Sequence, residues 1–136
     1  MYPDFVDVTG AAGSVPGVEI LVVEDELLVR LMISEALRDE GYSVIEAYNA
    51  DEALSILDAG KAFDLIISDV RMPGSMDGLG LLDRVRQQSP ALPVILTSGH
   101  LEPEVALARG ATRFVGKPYD LATMLASIVD GLAKPA

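Results

Sequence analysis

Asp69 closes an aliphatic run, Leu65-Ile66-Ile67-Ser68, and is followed at once by Val70-Arg71-Met72-Pro73, which sets a carboxylate where a buried strand passes into a loop. Three other runs end in a similar way. Ile20-Leu21-Val22-Val23 leads to Glu24 and Asp25, Val94-Ile95-Leu96-Thr97 to Ser98, and Phe114-Val115-Gly116 to Lys117. As parallel strands of one sheet, the four runs would deliver these side chains to a single rim, where open α/β folds bind their ligands. Glu24, Asp25 and Asp69 bring three negative charges to that rim; a divalent cation and the Lys117 ammonium would return three positive ones. A carboxylate attacks phosphorus only when the charge on both partners is neutralised as they approach. The residue types therefore point to a site for a cation and a phosphoryl group. An all-oxygen donor set favours Mg²⁺, with Asp25, Asp69 and a backbone carbonyl as the protein's share of the ligands.

Bringing these ends together requires alternating strands and helices, and from Val18 onward short aliphatic runs do alternate with helical periodicity. The first helix is expected from about Leu27 to Glu40, with Leu28, Met32 and Ala36 spaced by four along one face and Gly41 stopping it. Ser43 to Ala47 reads as a second strand. Asn49, with Glu52 three residues on, can cap a helix reaching about Ala59. Gly78 opens a third helix running to about Gln88, and Pro90 and Pro93 bracket the turn after it, since neither can continue a helix. A fourth helix has to fit between Pro103 and Arg109. Asp120 can cap a fifth, whose Leu121, Leu125, Ile128 and Leu132 face the sheet. The count is five strands and five helices, an α/β fold. Residues 1–17, with Thr9-Gly10-Ala11-Ala12-Gly13-Ser14 and Pro16-Gly17, are small and turn-prone, and read as a flexible N-terminal tail ahead of one domain over 18–136.

The 136 residues suit a single domain large enough to bury a core, with no room for a second catalytic or DNA-binding domain. Cys is absent, which excludes disulfides and thiolate metal sites. A formal net charge of −11 argues against direct nucleic-acid binding, because a phosphate backbone is held by clustered Lys and Arg and only ten such residues are scattered along the chain. No Lys or Arg precedes Arg30, so the start lacks the basic segment of a signal peptide. No apolar stretch approaches the roughly 18 residues a membrane span requires. A soluble, cytoplasmic protein is expected.

Taken in order, Val22-Val23-Glu24-Asp25, Ile67-Ser68-Asp69 with Met72-Pro73 and Asp77-Gly78, Ser98-Gly99 and Lys117-Pro118 resemble the receiver domain of two-component response regulators, over about Val18 to Ala133. The resemblance implies a flavodoxin-like (βα)5 fold, a doubly wound parallel sheet of strand order 2-1-3-4-5. It makes Asp69 the acceptor of a phosphoryl group from a histidine kinase or a His-containing phosphotransfer protein. It gives the carbonyl ligand of Mg²⁺ to Arg71 and lets Glu24, one methylene longer than the aspartate often found there, act through a metal-bound water. Ser98 would hydrogen-bond one phosphoryl oxygen, Lys117 would pair with another, and Gly99 would leave room for the group. The Lys117–Pro118 peptide would be cis. In the switch that follows, Ser98 is drawn inward and Phe114 moves into the vacated space, a population shift between two states. Arg71 and His100 would line the mouth of the site and set the lifetime of the aspartyl phosphate by gating water.

Two intervals depart from the common pattern of that family. Gly74-Ser75-Met76 lengthens the loop after Pro73, and the span from Ser98 to Lys117, with Pro103 and Gly110, is short. A short or irregular fourth helix is expected, and with it no standard receiver dimer through the fourth and fifth helices. The expected function is that of a single-domain response regulator that signals to an unknown downstream protein by contact or phosphorelay. It would not be an enzyme beyond its own phosphorylation and slow dephosphorylation. A receiver segment of a hybrid histidine kinase, acting as relay or phosphate sink, is the alternative. A Mg²⁺-dependent aspartyl-phosphate phosphatase would show Asp-x-Asp after the first strand, where this chain has Glu24-Asp25; a flavin module would show a Ser/Thr/Gly-rich phosphate loop there. Singly, the acids at Glu24 to Glu26 suit a solvated helix start, Lys117 a surface position and Ser98 a turn. Their order along the chain is what favours a site.

Overall fold

The computed structural model describes residues 17–133, so the expected tail lies outside the described residues except for Gly17. Within that span the chain alternates strand and helix: β1 (Glu19–Val23), α1 (Leu27–Asp39), β2 (Ser43–Ala47), α2 (Ala50–Asp58), β3 (Leu65–Asp69), α3 (Gly78–Gln88), β4 (Val94–Ser98), α4 (Pro103–Ala108), β5 (Arg113–Gly116) and α5 (Leu121–Leu132). The strands form one parallel sheet in the order β2-β1-β3-β4-β5, the doubly wound arrangement that the resemblance implies. No helix among the described residues is long and apolar enough to cross a membrane.

Side chains alternate across each strand, and this divides the core into two layers. Leu21, Val23, Ile66 and Leu96 pack against α2, α3 and α4, whereas Ile20, Val22, Ile67 and Ile95 pack against α1 and α5. With both faces covered, the central strands run aliphatic without alternation until their C-terminal ends, where Ser68-Asp69 and Thr97-Ser98 follow. Ile20, Leu21, Ile66, Ile95 and Leu96 are wholly buried, each contributing roughly 2 kcal/mol of apolar burial. Helix starts are fixed by the acceptors that the local sequence supplies. Asn49 accepts the Glu52 N–H at 2.8 Å, Asp77 that of Gly80 at 2.9 Å, and Asp120 that of Thr123 at 2.7 Å. α4 has six residues, a proline in its first turn and no side-chain cap.

The Leu28, Met32 and Ala36 row of α1 is not the face that α1 turns to the core. α1 buries Ile33, Ser34 and Leu37, while Leu28 is 80% and Met32 46% exposed and Ala36 is half-buried. Apolar residues occupy Leu27, Leu28, Val29, Leu31, Met32 and Ile33, so helical periodicity is satisfied in more than one phase and packing on the sheet decides among them. Arg30 holds the phase adopted: it donates to the Glu24 carbonyl at 2.8 Å and pairs with Glu46 of β2 at 3.1 Å. α5 buries the face expected of it, with Met124 and Ile128 inside and Leu121, Leu125 and Leu132 packed beside them.

Candidate functional site

Register places the reactive ends side by side. Asp69 pairs with Thr97 across β3 and β4, Ser98 pairs with Gly116 across β4 and β5, and the Lys117 N–H donates to the Ser98 carbonyl at 2.9 Å. On the other flank, the Glu24 N–H donates to the Ala47 carbonyl at 3.0 Å, so the first residue after β1 is still held by the sheet. The C-terminal rim of the sheet thus carries a cleft of about 390 Å³ lined by Asp25, Asp69, Arg71, Ser98, His100 and Lys117, with Gly99 and Glu26 beside them. Phe114 is outside that cleft, half-buried on β5 against the core layer under α4. The Lys117–Pro118 peptide is cis.

Lys117 is the electrostatic centre of the cleft. Its ammonium donates to Glu24 at 3.0 Å and to Asp69 at 3.2 Å, and stands 4.0 Å from Glu26. Burial raises the Asp69 carboxyl above its ordinary range, which the Lys117 ammonium and then the Val70 N–H only partly offset. Glu24 is raised for the same first reason, against hydrogen bonds from Lys117 and from the Glu26 N–H. Burial alone would depress Lys117, but its hydrogen bond to Glu24 and the charge of Asp69 more than reverse that, and its proton is held more tightly than usual. Burial therefore disfavours charge on both carboxylates, and the three acids Glu24, Asp25 and Asp69 share the cleft with the single Lys117 ammonium.

A cation fits that deficit. Carboxylate oxygens of Glu24, Asp25 and Asp69 lie within 4.8 Å of one another, close enough for one ion. The donors are all oxygen, which suits a hard divalent cation such as Mg²⁺. Glu24 and Asp69 are buried, whereas Asp25 is exposed at the edge, so the set opens toward solvent on one side. The Ser98 hydroxyl accepts the N–H groups of His100 and Leu101, both at 3.0 Å, which ties the start of the β4–α4 loop to the strand end.

Backbone packing fixes Asp69 from below. Gly78 donates its N–H to the Val70 carbonyl at 2.8 Å, and a Cβ at that position would come within 2.2 Å of the Asp69 carbonyl oxygen. Only glycine lets the start of α3 lie this close to the backbone of Asp69.

Reading residues by type and spacing brought out the ends of the strands but not what supports them. Glu26, 4.0 Å from the Lys117 ammonium, has no signal in the sequence beyond its place among the acids at the start of α1. Arg30 braces the carbonyl of Glu24 from one turn into α1, and nothing in its local sequence distinguishes it from a surface arginine. Asp51 on α2 binds Ser75 in the loop after β3, a contact spanning 24 residues that leaves no periodic trace.

Comparison with known proteins bears on the same geometry. Residues 20–129 match the response regulator receiver domain. The nitrogen assimilation regulatory protein NtrX of Azorhizobium caulinodans is 41% identical over 106 residues, 75% of this chain and 23% of that protein. The DNA-binding transcriptional regulator NtrC of Escherichia coli K12 is 37% identical over 105 residues, 75% of this chain and 22% of that one. The chain thus covers less than a quarter of the length of these relatives. Among solved structures, the receiver domain of NtrX from Brucella abortus aligns with a TM-score of 0.78 and 34% identity, covering 85% of this chain and 99% of that one. Vibrio cholerae chemotaxis protein CheY4 aligns with a TM-score of 0.77 and 35% identity, covering 85% and 98%. A match across nearly every described element, on a 2-1-3-4-5 sheet whose rim gathers the acids, the hydroxyl and the lysine, shows that the chain belongs to the response regulator receiver domain family.

Proposed function

We propose that this receiver domain takes a phosphoryl group onto Asp69 from a phosphohistidine on a histidine kinase or a phosphotransfer protein. One observation carries the reading: Asp69 and Glu24, buried and far apart in sequence, share the Lys117 ammonium, and an Asp25 carboxylate oxygen lies within 4.8 Å of theirs. The Asp69 oxygen attacks phosphorus, the phosphorus–nitrogen bond of the donor breaks, and the imidazole leaves with its electron pair and takes up a proton. Bound Mg²⁺ would supply the positive charge that the three carboxylates lack, held by Asp25, Asp69 and the Arg71 carbonyl, with Glu24 acting through water. Lys117 and the Ser98 hydroxyl would each hold a phosphoryl oxygen, and Arg71 and His100, at the mouth, would govern the approach of water and so the lifetime of the product.

The reading assigns no turnover of other substrates to the domain. Its output is contact with, or relay to, another protein, and a net charge of −11 leaves a nucleic-acid backbone as a poor direct partner. A second reading, that this domain serves within a longer regulator, is favoured by its match to less than a quarter of NtrX and NtrC. Immunoblotting the native protein for its size separates the two. The function itself is tested by intact mass after incubation with Mg²⁺ and acetyl phosphate. One added phosphoryl group in the wild type and none in Asp69→Ala supports it; equal labelling of both, or of neither, rejects it.

A further inference from the structure

Asp51 lies in the first turn of α2, yet its carboxylate does not serve its own helix, where Asn49 and Glu52 supply the caps. It reaches instead to the loop after β3. One oxygen accepts the Ser75 hydroxyl at 2.7 Å and the other the Ser75 N–H at 3.1 Å. The loop is shaped for this contact. Gly74 stands at φ +112, and a Cβ there would come within 2.7 Å of the Asp51 carboxylate. At its base the same loop is closed by the Gly78–Val70 hydrogen bond of 2.8 Å, and Met72 and Met76 anchor it on the core. Arg71 therefore lies between a fixed base and a fixed apex, and it lines the cleft around Asp69.

We infer that Asp51 is a positioning residue of the cation site: by clasping Gly74 and Ser75 it holds the loop that presents the Arg71 carbonyl, and so sets how tightly the site takes Mg²⁺. The inference rests on the reading of the site given above. A loop released at its apex spends part of its time away from the binding-competent position, and the apparent affinity falls by that fraction.

Calorimetric titration of Mg²⁺ into the full chain, at fixed ionic strength, reads this without any phosphoryl transfer. Loss of both hydrogen bonds in Asp51→Ala should weaken Mg²⁺ binding about five-fold, the order expected for contacts of this kind. Ser75→Ala, which keeps the N–H contact, should weaken it less, and the double variant should be no worse than Asp51→Ala alone. Asp51→Asn is the informative control, because its amide can accept the Ser75 N–H and donate to the Ser75 hydroxyl without the charge; it should stay within about two-fold of wild type. Circular dichroism checks that each variant is folded. Unchanged affinity in Asp51→Ala overturns the clasp and leaves the site reading standing. Equal weakening in Asp51→Asn and Asp51→Ala assigns the effect to charge and also overturns it. A wild-type chain that takes up no Mg²⁺ overturns the site reading and this inference together.

Discussion

Gly78→Ala should damage the acceptor site through the backbone alone. The added methyl would stand 2.2 Å from the Asp69 carbonyl oxygen, 2.8 Å from the Val70 Cα and 3.0 Å from the Asp69 carbonyl carbon, against an ordinary contact beginning at 3.4 Å. All three neighbours are main chain, so relief requires either the end of β3 or the start of α3 to move. Overpacking of this kind costs about 1–3 kcal/mol, and the strained Gly78–Val70 hydrogen bond adds about 1 kcal/mol. Alanine's better helix propensity returns at most about 1 kcal/mol at the first residue of α3. A net loss of about 1–3 kcal/mol follows, a substantial part of the ~5–15 kcal/mol that holds a domain of this size together. Gly60→Ala is the matched control, since Gly60 has φ +97 but no atom of the described residues within 4 Å of the added Cβ. It carries only the left-handed backbone penalty of about 1–2 kcal/mol. Urea unfolding followed by circular dichroism measures both, and intact mass measures phosphoryl uptake in whatever fraction remains folded. Gly78→Ala should be less stable than Gly60→Ala and should also be impaired in uptake. A Gly78→Ala chain as stable as wild type and labelled at the full rate would refute the reasoning.

Other perturbations test separate parts of the structure. The Ser34 hydroxyl is buried in α1 with no hydrogen-bond partner among the described residues, so Ser34→Ala should stabilise the domain by about 1 kcal/mol, read as a higher urea midpoint. Burial raises the Asp69 carboxyl, so ionising it penalises the folded state above its folded pKa and not below the ordinary carboxylate range. Without cation, Asp69→Asn should therefore be more stable than wild type at neutral pH, with the gap closing as pH falls through the window just above that range; a gap that widens on acidification would contradict the assignment. The ridge of Leu27, Leu28, Leu31 and Met32 stays 38–80% exposed, and Met32 shares a groove with Lys117 and Tyr119, so a protein delivering phosphate to Asp69 has apolar surface to meet. Leu28→Glu with Met32→Glu should slow transfer from a phosphohistidine protein by about ten-fold or more, the scale of losing two interface anchors, while labelling by acetyl phosphate stays unchanged.

The reactive ends were legible because a buried strand that stops at a polar residue is a local event, visible as a break in an aliphatic run. Asp69, Ser98 and Lys117 all announce themselves in this way, and the caps at Asn49, Asp77 and Asp120 are equally local. The order in which the strands pair has no such local signature and came only with the family resemblance. The phase of α1 is not legible in the sequence because apolar residues surround most of its first two turns, and the choice between Met32 and Ile33 falls to packing and to the Arg30–Glu46 pair. The Asp51–Ser75 contact and the glycine packed on the Asp69 carbonyl are tertiary facts, fixed by how the loop after β3 closes.

The most direct measurement locates the phosphoryl group. After labelling with a phosphodonor and Mg²⁺, borohydride reduces an aspartyl phosphate to homoserine, and peptide mass mapping finds the changed residue. Conversion at position 69 alone, abolished when Mg²⁺ is removed by chelation, is the result the account predicts. A phosphoryl group that resists borohydride, or that maps to another residue while Asp69 stays intact, would contradict it.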